Sequence, residues 1–164
     1  MQNEMPLLIV NPISGKGRAR VLWPLISAKM KSLFGRFEPI FTRSSTDAIE
    51  QARQAVECGF RHLIAVGGDG TVHEVVNGIF LANAKDRAEV RLGIIPMGSG
   101  DDFVKSLKLP ISPIDAIDRL KSGKTALVDI GKVSYRGNSG ENETRYFTNI
   151  ADFGLGGEVM QKVN

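Results

Sequence analysis

The stretch AVGGDGTVHEVVNG, residues 65 to 78, decides how the rest of the chain is read. It closes a short apolar run, HLIAV (62–66), and passes directly into a helical pattern. A continuous run of this kind reads as a strand buried on both faces, as in a parallel sheet. Gly67-Gly68-Asp69-Gly70 therefore sit where a strand ends and a helix begins. Glycine lets a ligand come close to the backbone N–H groups. A helix N-terminus adds roughly half a positive charge at the same place. Together they suit an anion such as phosphate. Asp69 does not suit direct phosphate contact. A carboxylate beside a phosphate cradle orders a metal, a water or an attacking hydroxyl. The competing reading is a plain glycine turn with Asp69 as a helix cap, and the spacing alone leaves both open.

Outward from this stretch, apolar runs alternate with helical patterns. LLIV (7–10), EPIFT (38–42) and RLGIIP (91–96) read as further strands. Val21, Leu22, Leu25, Ile26, Met30 and Leu33 follow helical spacing up to Gly35, with Pro24 predicting a kink or a late start. STDAIEQARQAVECG predicts a helix with Thr46 or Asp47 near its N-cap, Glu50 in its first turn and Gly59 at its end. TVHEVVNGIFLANA predicts another, and DDFVKSL and SPIDAIDRLKSG two short ones. Strand–helix alternation with apolar strands predicts an α/β, three-layer domain with a mainly parallel sheet over residues 1–124. From residue 125 the pattern changes. TALVDIGKVSY and TRYFTNIADF read as strands around the polar turn RGNSGENE. Residues 125–164 are expected to open a β-rich second domain, and GLGGEVMQKVN reads as the start of a helix without a stop signal. A two-stranded piece is marginal in water. It is expected to be mobile or to lean on the first domain, exposing Tyr146, Phe147, Ile150 and Phe153 and favouring a homo-oligomer.

Composition excludes several classes. Lys plus Arg is 21 against 18 Asp plus Glu, a net charge of +3. The pI near 9.1 suits an anionic partner such as nucleotide or acidic lipid, but is equally an ordinary solvated surface. No nucleic-acid partner is expected. The one cysteine, Cys58, excludes a disulfide framework and a cysteine zinc site; it reads as a small core residue, and a reducing, cytoplasmic location follows. No apolar run approaches the ~18 residues of a membrane span, and the N-terminus does not resemble a signal peptide.

In an open parallel sheet, ligands bind beyond the carboxyl ends of the strands. Four loops fall there: NPISGKGRAR (11–20), TRSST (42–46), GGDGT (67–71) and PMGSGDD (96–102). All are rich in small, hydroxyl or acidic residues. SGKGRA lacks P-loop spacing, GSGDDF lacks the third glycine of a dinucleotide fingerprint, and the protein-kinase motifs are absent.

At NPISGKGRA, GGDGTVHEVVNG and PMGSGDDF the chain resembles the diacylglycerol kinase catalytic-domain family, which includes bacterial lipid kinases and the sphingosine and ceramide kinases. GGDGT alone is shared with NAD kinases; the three motifs in this order are more specific. The resemblance implies a two-domain kinase that phosphorylates a lipid hydroxyl with ATP and Mg2+ at a membrane surface, the nucleotide lying between the α/β domain and a β-sandwich. It implies that Asn11, Ser14, Gly15, Thr42, Gly67, Gly68, Asp69, Gly70, Thr71 and Ser99 contact the nucleotide. It also implies that Asp69 serves catalysis or Mg2+ and water ordering. The family's usual G-T-x-N-D appears here as Gly98-Ser99-Gly100-Asp101-Asp102, which keeps the hydroxyl and adds a charge at Asp101. No counterpart of the family's C-terminal Mg2+-binding residues and catalytic acid is found. An NAD kinase-like enzyme and a noncatalytic nucleotide-binding module are the alternatives.

Other residues read two ways. Lys16, Arg18 and Arg20 suit triphosphate oxygens or a solvated helix start. Glu74 suits the site or the helix dipole. His62 and His73 lack metal-ligand spacing and read as structural or surface residues. Trp23, Leu33, Phe34 and Phe37 read as core or as a lipid-facing patch.

Overall fold

The computed structural model describes residues 5–137 and 140–148. Four strands form one parallel sheet: β1 (Leu7–Val10), β2 (Glu38–Phe41), β3 (His62–Gly67) and β4 (Arg91–Pro96), in the order β2-β1-β3-β4. The helices are α1 (Arg18–Phe34), α2 (Asp47–Glu57), α3 (Asp69–Leu81), α4 (Ala84–Arg87), α5 (Asp102–Ser106) and α6 (Pro113–Lys121). An antiparallel hairpin, β5 (Gly131–Arg136) and β6 (Asn142–Phe147), follows.

Strand side chains alternate between faces, and the core divides accordingly. Leu7, Ile9, Leu63, Ala65 and Ile94 pack under α2 and α3. Leu8, Val10, Ile64, Val66 and Ile95 pack under α1 and α6. This is the expected three-layer α/β arrangement. The α2–α3 contact is close because Gly78 lacks a Cβ, which would meet the Ile49 carbonyl and lie 2.6 Å from Ala52 Cβ. At the sheet edge, Glu38 donates its N–H to Pro6 O, just before β1, and Thr42 donates its N–H to Val10 O of β1. Pro39 therefore falls on the outward-facing register, where it removes a donor. Gln51 covers the Phe41 carbonyl with its amide. Both features blunt an edge that would otherwise pair with another chain.

Several expectations are corrected. Helix α1 begins at Arg18 and runs through Pro24, so there is no late start. The missing N–H would have bonded Arg20 O, on the exposed side of the helix. Thr46 does occupy the N-cap position of α2, as expected, but in a left-handed conformation (φ 69°), and its hydroxyl caps nothing. Asp47 instead accepts from Arg43 N–H at 2.8 Å. Helix α3 starts at Asp69, two residues before the expected Thr71, and stops at Leu81. Cys58 is exposed, because the buried stripe of α2 runs through Ala48, Ala52, Ala55 and Val56 and leaves position 58 outside. Trp23, Leu33, Phe34 and Phe37 are half-buried against the core rather than a surface patch.

The hairpin is shorter than expected, since residues 125–130 are not strand and Leu127 is fully exposed. It does lean on the first domain. Asn77, 1% exposed on α3, donates from Nδ2 to Tyr146 O at 2.8 Å and accepts from Tyr146 N–H at 2.9 Å. One side-chain amide thus mimics the edge of a neighbouring strand. Tyr146 stacks on Phe80 with ring centres 4.4 Å apart. Tyr146 and Phe147 are therefore half-buried, not exposed. Ile150, Phe153 and the helix opening expected near the C-terminus lie outside the described residues.

The hairpin's seat depends on this amide. Asn77→Ala leaves the Tyr146 N–H and carbonyl without partners, a cost of about 1–3 kcal/mol. Native-state hydrogen exchange at the Tyr146 amide should quicken sharply, with the β1 and β3 amides less affected. Unchanged protection at Tyr146 would show that ring stacking alone seats the hairpin.

Candidate functional site

All four small-residue loops emerge at the carboxyl end of the sheet. Helix α1 follows β1 onto one face, while α3 follows β3 onto the other. The two loops diverge and leave a crevice between adjacent parallel strands, where ligands bind in such sheets.

The loops are stitched to each other. Asn11 donates its backbone N–H to Val66 O at 3.0 Å and its Nδ2 to the Thr71 hydroxyl at 3.2 Å. Its Oδ1 accepts from Ile13 N–H at 3.2 Å. Gly15, at φ +60°, is pressed against the Met97 carbonyl, and a side chain there would collide with it. Met97 N–H bonds Gly67 O at 2.9 Å. Gly68 lies against Gly98, with only 3.0 Å between its Cβ position and Gly98 Cα. Thr71 is buried, its side chain filling the space above Gly67. Thr42 hangs its N–H on Val10 O at 2.9 Å and ends the neighbouring strand. Ser14 is half-exposed beside Gly15. Ser99 lies exposed at the tip of the fourth loop, where among the described residues no hydrogen bond holds its hydroxyl. The structure thus brings Asn11, Gly15, Gly67, Gly68, Asp69, Gly70 and Thr71 together, with Thr42, Ser14 and Ser99 at the margin.

Gly68 is the N-cap of α3, and no side chain caps that helix. The N–H groups of Asp69, Gly70 and Thr71 have no intrahelical partner and open onto the crevice. Asp69 is not the cap of its own helix. It caps another: Oδ2 accepts from Asp102 N–H and Oδ1 from Phe103 N–H, both at 3.0 Å. The carboxylate therefore holds the first turn of α5 against the first turn of α3. A Cβ at Gly100 would lie 3.4 Å from Asp69 Oδ2, so this acid faces the fourth loop.

Sequence reasoning did not single out Asn77, and it left Glu74 undecided. The Glu74 carboxylate accepts from Thr46 N–H at 3.1 Å, tying the second loop to α3. Polar residues on the buried face of a helix were the signal for Asn77. His62 and His73 are half-buried, and burial holds both below the usual histidine range.

Asp101 is 4% exposed at φ 51°, and its Oδ1 accepts from Gly98 N–H at 3.0 Å. Burial pushes its carboxyl above the usual aspartate range, the Gly98 N–H opposes this, and the Asp69 charge adds to the rise. A raised folded-state value means the folded chain holds the proton more readily than the unfolded one. Asp101 therefore costs stability above its folded titration range and costs nothing below the unfolded aspartate value of about 3.9. Asn tolerates the left-handed conformation and keeps an oxygen for Gly98. Asp101→Asn should be more stable than the wild type in urea at pH 7, with the gain fading as the pH falls into the aspartate range. A constant difference across pH would trace the effect to packing instead of charge.

The chain is similar to known proteins over most of its length. Residues 5–133 match the family model described as the diacylglycerol kinase catalytic domain. Over 154 residues the chain is 35% identical to a diacylglycerol kinase of Staphylococcus carnosus and 38% identical to one of Staphylococcus epidermidis; each match covers 94% of this chain. It covers 45% and 44% of those relatives, so the chain spans less than half their length. Among solved structures, a diacylglycerol kinase from Bacillus anthracis strain Sterne superposes with a TM-score of 0.69 at 28% identity, covering 80% of this chain and 47% of the other. With the family-model match over residues 5–133, this chain belongs to the diacylglycerol kinase catalytic domain family.

Proposed function

We propose that the chain is the nucleotide-binding part of an ATP-dependent lipid kinase. The protein containing it would transfer the terminal phosphoryl group of ATP to a hydroxyl of diacylglycerol or a related lipid. Residues 1–124 form the nucleotide-binding domain in this reading, and residues 125–164 begin a β-rich second domain.

The observation that carries the reading is Gly70. Several glycines of the crevice are accounted for by the protein itself: Gly15 by its positive φ and Met97, Gly17 by its positive φ, Gly67 by Thr71, and Gly68 and Gly98 by each other. Gly70 is exposed, helical and without any described atom within 4 Å of its Cβ position. Alanine there would favour the helix by about 1 kcal/mol. Its glycine makes sense when the space beside the first turn of α3 belongs to a ligand. The uncapped N–H groups of that turn make the ligand anionic, and a polyphosphate fits.

Asn11, Ser14, Gly15, Thr42, Gly67, Gly68, Gly70, Thr71 and Ser99 are the proposed nucleotide-contacting set. Asp69 is the acidic group of the site, acting as a base toward the lipid hydroxyl or ordering Mg2+ and its water. Among the described residues no group of three acidic, histidine or cysteine side chains could hold a metal by itself. Mg2+ ordinarily binds through one or two carboxylates plus substrate phosphates. When bound, Mg2+ would offset the charge of the transferring phosphoryl group. The protein's part is positioning: the α3 N–H groups orient the phosphates, and the closely packed glycines exclude water from beneath them. No described helix is long and apolar enough to cross a membrane; in this reading the lipid is met at the bilayer surface.

Gly70→Val separates ligand from fold. The side chain enters space that no described atom fills, so the denaturation midpoint should hold or rise. Calorimetric titration with ATP and Mg2+ should show binding to the wild type and a loss of about tenfold or more in the variant. Equal affinity would place the nucleotide elsewhere. Asp69→Asn, in the protein at the length of its relatives, should lower labelled-phosphate transfer from ATP to diacylglycerol on the order of 10²-fold or more. ATP affinity should change far less. Near-normal turnover would leave Asp69 as the cap of α5 alone.

A further inference from the structure

Helix α1 has an outer face that the fold does not explain. Its inner side is consumed by Ala19, Ile26 and Met30, all fully buried. A helix of this kind ordinarily presents charged residues outward. Here the outward positions are Val21, Pro24, Leu25 and Ala28, at the i, i+3, i+4, i+7 spacing of a single stripe. Val21 is 76% exposed and Leu25 54%. The stripe continues toward the crevice through Ile13, 72% exposed in the loop that precedes the helix.

The charge around it has one sign. Residues 18–34 contain no Asp or Glu. Arg20 and Lys31 are exposed on the same flank of the stripe and make no ion pair with any described residue. Lys29, on the opposite flank, is engaged by Asp118 of α6 at 2.7 Å. An apolar stripe bordered by free cations and lacking any acid is complementary to an anionic phospholipid surface: the aliphatic chains enter the headgroup boundary while the cations meet lipid phosphates. A second protein copy would bring its own α1 cations against these, which makes that occupant electrostatically poorer.

We propose that the outer face of α1 is a docking surface for an anionic bilayer, with Val21 and Leu25 as the inserting residues and Arg20 and Lys31 as headgroup contacts. The placement deepens the lipid-kinase reading and rests on it for its purpose. Helix α1 starts where the first crevice loop ends, so docking along it would set that loop beside the membrane.

Vesicle flotation without nucleotide tests the surface apart from the kinase reading. The wild-type chain should float with phosphatidylglycerol vesicles and much less with phosphatidylcholine vesicles, and added salt should weaken it. Val21→Glu/Leu25→Glu changes only exposed positions and should cut the partition coefficient about tenfold or more. Arg20→Gln/Lys31→Gln should cut it roughly fivefold per lost cation. Thermal unfolding of both double variants, and ATP titration of Val21→Glu/Leu25→Glu, should match the wild type. Vesicle binding without ATP binding would overturn the nucleotide reading and leave the surface standing. Undiminished flotation of both double variants would overturn the surface. So would a wild-type dimer in sedimentation velocity that Val21→Glu/Leu25→Glu dissociates, without vesicle binding by either protein.

Discussion

The carboxylate of Asp69 accepts two backbone N–H groups from the first turn of α5, and the carboxyl edge of the sheet is organised around that pair of bonds. Loops after adjacent parallel strands have no reason of their own to stay together. Here the third loop reaches across to the fourth, and a charged acceptor makes stronger hydrogen bonds than a neutral one. The bond also disposes of an awkward donor set. Helix α5 is only five residues long, too short to persist alone, and its own N-cap residue, Asp101, makes no side-chain cap. Asp69 supplies the cap from another helix. The N-terminus of α3 is left uncapped by the same arrangement. One helix end is satisfied inside the protein, and the other remains available to an anion.

Close approach is the second theme of the crevice. Gly15 against Met97, Gly68 against Gly98 and Gly67 beneath Thr71 bring three loops into contact through their backbones. Asn11 then locks the first loop to the third through Thr71. This leaves a small rigid floor, with few side chains of its own standing over it. Asp101 is the strained element in that floor, a buried carboxyl in a left-handed conformation beside another acid. Its carboxyl is held by the Gly98 N–H.

Helix α3 links this floor to the hairpin. Its first turn faces the crevice, Glu74 holds the second loop, Gly78 admits α2, and Asn77 carries β6. The hairpin and the crevice thus share one helix as their common support.

What could be read from the sequence was set by local periodicity and backbone chemistry. LLIV, HLIAV and RLGIIP are strands because continuous apolar runs must be covered on both faces. The alternation with helices follows, and with it the parallel sheet and the edge on which the four loops collect. GGDGT, NPISGKG and PMGSGDD were legible as crevice loops for the same reason. Tertiary structure decided which atoms those residues meet. Whether Asp69 capped its own helix or another depended on where α5 came to rest, a contact spanning more than thirty residues. Whether Cys58 or Trp23 was buried depended on the rotation of each helix against the sheet, which single-residue hydrophobicity does not specify. Asn77 read as an ordinary polar residue in a helical pattern until β6 was laid against it. The outer stripe of α1 emerged only once Ile26 and Met30 had been assigned to the core, because a helix with apolar residues on two sides has no preferred face until the sheet selects one.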